Sequence, residues 1–219
     1  MSYFINFGLI WKYVPSFLGG LALGLELAAI SLFFGMVIGI VMAFLSISKS
    51  KALHLIASSY VTALRNIPLL VLSFFCYFGL PEAGILFSKN VSFIFALSIY
   101  AGAYLTEVFR AGLTSIPRGI VEAGYAVGLT KLQAMRYIQL PIMFRNIMPS
   151  LSNNFISLFK DTSLAASISI AELTYLARKV NTITFRVIEV WLVVGLLYVI
   201  TCYLIAFLLR QLERRLQIR

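Results

Sequence analysis

Charged side chains are scarce in this chain: they make up 12% of its 219 residues, against 61% hydrophobic. A soluble domain carries about a quarter charged residues. Half that allowance cannot cover a water-facing surface, so lipid is the solvent for most of it, and the mean hydropathy of +0.95 agrees. Acidic residues are scarcer still, 8 against 18 Lys and Arg, for a formal charge of +10. In a soluble protein that excess would suggest nucleic acid. Here the basic residues sit between or just after apolar runs, where the positive-inside rule accounts for them. No basic patch is interleaved with exposed aromatics, so nucleic acid is excluded as a partner. The lone histidine, His54, reads as an interfacial residue at a span start and makes no metal site. Cys76 and Cys202 lie inside apolar segments and read as small buried hydrophobes. There is no G-x-x-x-x-G-K-[ST] phosphate loop, so the chain cannot hydrolyse ATP itself.

What is present is a series of long apolar runs. Crossing the hydrocarbon takes about 20 such residues. The first run, Phe17 to Ile47, is broken only by Glu26, which can snorkel to the outer interface. It is too long for a signal-peptide core and no small-residue cleavage site follows it. The second covers His54 to Leu80 with Arg65 and Pro68 inside, the third Val91 to Leu113, and the last Val187 to Leu209, followed by the charged tail Arg210 to Arg219. Between the third and last, apolar character returns from Ile142 to Phe159 and breaks at Lys160-Asp161-Thr162-Ser163; a short helix is expected around Ile168 to Lys179. The reading is an all-α, polytopic bundle of about five spans forming one transmembrane domain over 1–219. With the N-terminus outside, Lys49, Lys51, Arg65, Arg110, Arg118, Lys131, Arg136, Arg145 and the C-terminal arginines fall inside, outnumbering Lys12, Lys89, Lys160, Arg178, Lys179 and Arg186 outside. That favours N-out, C-in.

Residues 114–141 are too polar to span and too periodic to be disordered. A helix over Arg118 to Val127 begins after Pro117, and Gly128 permits a sharp turn. Thr130 can cap a second helix through Met135 and Ile138 to Leu140, which Pro141 ends. Ala126, Val127 and Leu129 are available as a projecting knob. On spacing alone, this is equally an amphipathic connector resting on lipid headgroups.

The residues themselves carry a resemblance. Glu122-Ala123-Gly124, three residues, Gly128, nine residues, Ile138, one residue, Leu140-Pro141 resembles the EAA loop of ATP-binding-cassette importer permeases. Gly124 stands where that family usually has alanine, a change expected to loosen the first helix by up to about 1 kcal/mol. Arg65-Asn66-Ile67-Pro68-Leu69-Leu70 resembles the R-x-x-P-L-L pattern of the polar amino-acid subfamily. So does the set Tyr104, Glu107, Arg110, Ala111 and Gly112. Pro141, Arg145, Pro149, Asn154, Lys160 and Thr162-Ser163-Leu164 follow at the family's spacing, while Gly24 replaces its usual threonine.

The resemblance implies the type I permease fold of ABC importers in the bacterial inner membrane. It implies two permease chains, alike or different, two cytoplasmic ATPase subunits holding ATP and magnesium, and a periplasmic or lipid-anchored protein delivering an amino acid. No cofactor is expected on this chain. The segment from Glu122 through Pro141 would couple to the ATPase as a rigid lever on a bistable bundle.

Ionisable groups at membrane depth are functional candidates. If the fourth span begins near Pro141, Asp161 lies about 30 Å along it. Asp161 can meet a solute ammonium, with Lys160, Thr162 and Ser163 beside it; equally it can pair with Lys160 or cap the next helix. Glu107 and Arg110, three apart, suit a structural ion pair. Glu172 and Glu189 read as solvated helix ends, with the lining of an outer vestibule as the alternative. Gly20-x-x-x-Gly24 and Gly35-x-x-x-Gly39 let another helix approach closely. A secondary transporter or channel working alone would need coupling carboxylates at midplane and usually inverted repeats, and no repeated half is present. An intramembrane serine protease would need a Ser-His or Ser-Lys pair, and His54 sits at a boundary with no serine motif nearby.

Overall fold

The longest apolar run forms the longest helix. In the computed structural model, which describes residues 4–217, α2 covers Val14–Ser46 after a single-turn helix α1, Gly8–Trp11. At 1.5 Å per residue α2 is about 50 Å long. The second run is split: α3, Lys51–Asn66, stops at Ile67-Pro68, and Pro68 becomes the N-cap of α4, Leu69–Phe74. A proline cannot donate to the preceding turn and forces its neighbour out of the helical region, which is why the run breaks there. A π turn, Phe75–Gly79, and a 3-10 turn, Leu80–Ala83, follow. The third run is α5, Lys89–Thr114, and the last is α10, Val187–Gln217. Of the described helices, α2, α5 and α10 are long and apolar enough to cross a membrane, and the broken pair counts as a fourth candidate if read together. α5 is the most enclosed of the three and α10 the least.

The structure departs from expectation at two places. Pro141 does not end a helix. From α7, Lys131–Ala134, the chain passes through a π turn, Met135–Gln139, straight into α8, Leu140–Asp161. The wider turn absorbs the missing amide and the ring clash that would break a regular helix. The short helix expected at Ile168 to Lys179 begins later. Thr162–Ile168 is a 3-10 stretch closed by Ser169 in the left-handed region, and α9 spans Leu173–Thr184. The basic tail continues α10 as helix as far as Gln217; Arg219, counted among the inside charges, lies outside the described residues.

The chain divides into two compact units. The first comprises Met1–Phe33, Ile67–Ser98 and Phe155–Ile205. Its core joins Ile10, Phe17, Leu173, Ala177, Val180, Val190 and Val194. A Cβ added at Gly20 would stand 2.8 Å from the Leu173 nitrogen, so the start of α9 presses against α2 backbone; Gly24 is approached by Thr162. The second unit comprises Phe34–Asn66, Ile99–Asn154 and Ala206–Arg219. Here Gly39 packs on Leu105, and Gly112 on Ile147 and Met143. Tyr60 donates to the Ile99 carbonyl at 2.6 Å, and Ser152 to Glu213 at 2.5 Å. Gly20, Gly24 and Gly39 of the first run are thus points of close packing.

Candidate functional site

The polar segment folds as two short helices around one glycine. α6, Arg118–Ala126, follows Pro117, and Gly128 adopts φ 89°, the left-handed conformation that glycine takes at no steric cost. Thr130 then caps α7 by a reciprocal pair of bonds: its hydroxyl accepts from the Gln133 amide, and the Gln133 side chain accepts from the Thr130 amide at 2.8 Å. The T-x-x-Q pattern that signals this capping box stands in the sequence. Glu122, Ala123 and Ala126 are exposed, and so is Val127, at 79%. Leu129 is turned partly inward, so the knob consists of Ala126 and Val127 without it. Gly124 is buried, and a methyl there would meet the Ile138 Cδ1 at 2.5 Å and the Leu129 Cδ1 at 3.5 Å. The missing alanine methyl is therefore filled by isoleucine. Leu140 is half-buried and Pro141 exposed. A recess of about 350 Å³ lies beside Glu122, walled by Arg118, Val121, Tyr125 and Gln139.

In the same unit, Glu107 and Arg110 form the expected pair. Arg110 donates from Nη2 to Glu107 Oε2 at 2.5 Å, and its Nε reaches both carboxylate oxygens at 3.2 and 3.3 Å. They line an open cleft of about 1000 Å³ with Arg65, Arg145, Ser115, Asn146 and Ser150. The Arg65 guanidinium rests 5.1 Å from the Tyr104 ring centroid, a cation–π contact. This convergence joins residues 80 positions apart (65 to 145), and no spacing rule reveals it.

In the other unit, Lys160 is exposed, Asp161 and Ser163 are half-buried, and Thr162 is fully buried. The Thr162 hydroxyl donates to the Phe159 carbonyl at 2.7 Å, which closes it off in this conformation. Asp161 makes no side-chain cap bond and no ion pair with Lys160 among the described residues. Glu172 and Glu189 are both fully buried, which corrects their reading as solvated ends. Glu172 caps α9 by accepting from the Thr174 and Tyr175 amides at 2.9 and 2.8 Å and from the Tyr198 hydroxyl at 3.2 Å. Burial still pushes its carboxyl above the ordinary range. Glu189 accepts from the Asn6 amide at 2.8 Å and faces Arg186 at 3.5 Å.

Long apolar helices, a proline-broken run and an exposed, capped helix-turn-helix define a membrane-embedded helical subunit. Residues 35–218 match the model of one family, and the chain belongs to it: the binding-protein-dependent transport system inner membrane components. It is 36% identical over 206 residues to the L-cystine transport system permease protein TcyB of Bacillus subtilis (strain 168), covering 94% of this chain and 88% of that one. It is 33% identical over 211 residues to the glutamine transport system permease protein GlnP of Escherichia coli (strain K12), covering 95% and 96%. Among solved structures, an amino acid ABC transporter crystallised with histidines matches at TM-score 0.89 and 32% identity, over 97% of this chain and all of that one. The MetNI methionine transporter, at 23% identity and TM-score 0.80 over 94% of this chain and 98% of that one, shares the fold. The chain is a permease subunit of an ABC transporter, with the type I importer permease fold, and not an enzyme.

Proposed function

We propose that the chain is one of two permease subunits of an ATP-driven importer that moves a polar amino acid across the bacterial inner membrane. The bundle crosses five times, through α2, the α3–α4 pair, α5, α8 and α10, with the N-terminus outside. The second permease is a copy or a paralogue. Two ATPase subunits hold ATP and magnesium, and a binding protein delivers the solute. The relatives' solutes, L-cystine and glutamine, support the amino-acid class.

The observation that carries the coupling role is the geometry at Gly128. Its left-handed turn sits between α6 and a doubly bonded α7 cap, and it holds Val127 out at 79% exposure. An exposed apolar knob on a braced turn suits insertion into a groove on a partner. Closure of the ATPase dimer would move such a lever as a rigid body and swing the bundle between its two states. In the first unit, Asp161, which makes neither a cap bond nor an ion pair among the described residues, is assigned to the solute ammonium, flanked by Lys160, Thr162 and Ser163.

Reconstitution tests this. Proteoliposomes holding the chain with its ATPase and binding protein should take up a labelled amino acid only when ATP is supplied on the ATPase side. Uptake by the chain alone, without ATPase or nucleotide, would sink the reading.

A further inference from the structure

The cleft beside Glu107 holds more positive charge than its own residues balance. Arg65, Arg110 and Arg145 line it, with Glu107 as its one carboxylate, and Arg110 already takes that group in a fork. Arg65 and Arg145 are exposed to the cleft and form no ion pair among the described residues. A guanidinium does not relieve such repulsion by shedding its proton. The rest of the wall is polar and ordered, with the Asn146 amide donating to the Ser115 hydroxyl at 3.0 Å. Asn146, Ser150 and Asn153 recur on one exposed face of α8, four and three residues apart. Such a stripe faces water or a polar solute rather than acyl chains.

We propose that this cleft is a second solute site, on the side where the amino acid leaves, in which Arg65 and Arg145 hold the α-carboxylate and Glu107 Oε1 receives the α-ammonium. Guanidinium groups match a carboxylate by paired N–H donors. Glu107 Oε1 has only the longer, 3.3 Å contact from Arg110, so it keeps acceptor capacity. The site rests on the importer reading and its orientation, which put the α5 end carrying Arg110 on the cytoplasmic side. It differs from the Asp161 region in unit and in charge. Released solute at high concentration then re-enters the cleft and slows further transport.

The test uses the full complex, with ATPase and binding protein, in proteoliposomes. The probe is whichever of L-glutamine, L-glutamate, L-arginine and L-cystine it imports, and the product side is preloaded with that probe. Initial ATP-driven uptake should fall as the preload rises, relative to empty vesicles of the same variant. The double substitution Arg65→Gln, Arg145→Gln should raise the half-inhibiting preload at least fivefold, with Lys at both positions intermediate. The α-amide of the same amino acid should not inhibit wild type. ATPase co-purification checks assembly of each variant; if the Gln pair does not assemble, the amide comparison decides alone. An unchanged dose–response in the Gln pair overturns the site, as do equal inhibition by the amide and absence of inhibition in wild type. If the Gln pair instead loses only a dependence of uptake on phosphatidylglycerol, the cleft holds a lipid headgroup and the proposal fails. No ATP-driven uptake of any probe by wild type overturns the importer reading itself.

Discussion

Gly124 and Ile138 share one small volume: a methyl on the glycine α-carbon would stand 2.5 Å from the isoleucine Cδ1. Gly124→Ala therefore sets a gain against a cost. The helix gains up to about 1 kcal/mol of propensity, while the end of the Ile138 side chain must move. Ile138→Val removes the clashing methyl. The pair of substitutions should be more stable than the sum of the singles by at least about 0.5 kcal/mol, the scale of coupling between touching residues. Thermal unfolding of the four purified forms measures it, and simple additivity would show that the two do not share space.

Gly128 is strained by any side chain but has nothing within 4 Å of an added Cβ. Substitution there costs conformation only, about 1–2 kcal/mol for alanine. Asparagine should be tolerated best, alanine less, valine least. ATPase capture and uptake should fall in that order while membrane insertion stays normal. Full capture by the valine variant would remove the turn from the docking role.

Gly19 and Gly20 are neighbours with opposite surroundings. An added Cβ at Gly20 meets the backbone of Glu172 and Leu173, whereas at Gly19 it meets open space. Gly20→Ala should destabilise by about 1–3 kcal/mol, with Gly19→Ala near neutral. Equal melting temperatures for the two would contradict the close packing of α2 on α9.

Glu172 satisfies two amides and a hydroxyl from a buried position. Alanine should cost about 2 kcal/mol by orphaning those donors. Glutamine keeps one acceptor oxygen and should cost less. The raised carboxyl also fixes a pH dependence. The folded chain binds the proton more readily than the unfolded one, so this contribution is fully present below the ordinary glutamate range and is lost as pH rises through the folded value. Melting curves against pH should lose that slope in the glutamine variant.

Asp161 is half-buried with neither a cap bond nor a salt bridge to Lys160 among the described residues. Asp161→Asn should lower uptake at least several-fold while leaving ATPase co-purification intact. Unchanged uptake kinetics would take Asp161 out of the solute path.

The long helices were legible because apolar length and proline position are local properties. Pro68 broke its run as its chemistry requires. Pro141 did not, because a π turn, which leaves no mark in residue type, opened the helix around it. The Glu107–Arg110 pair was legible from a three-residue interval. Glu172 and Glu189 were misjudged because their partners, Tyr198 and Asn6, lie 26 and 183 positions away. Their local partners, the Thr174 and Tyr175 amides and Arg186, suit an exposed helix end equally well, so only the distant contacts reveal the burial.

The bond between the Asn6 amide and Glu189 also imposes an order on biosynthesis. Its two ends are made 183 residues apart, an interval of about 10–40 s at ordinary ribosomal rates. Phe17 waits as long for Val190 and Val194, its neighbours in the finished core. For that time the first helix sits in the membrane with one flank unclosed. Leu173, Ala177 and Val180 reach this core before Val190 and Val194, so a ribosome that stalls before Glu189 leaves it without its α10 side.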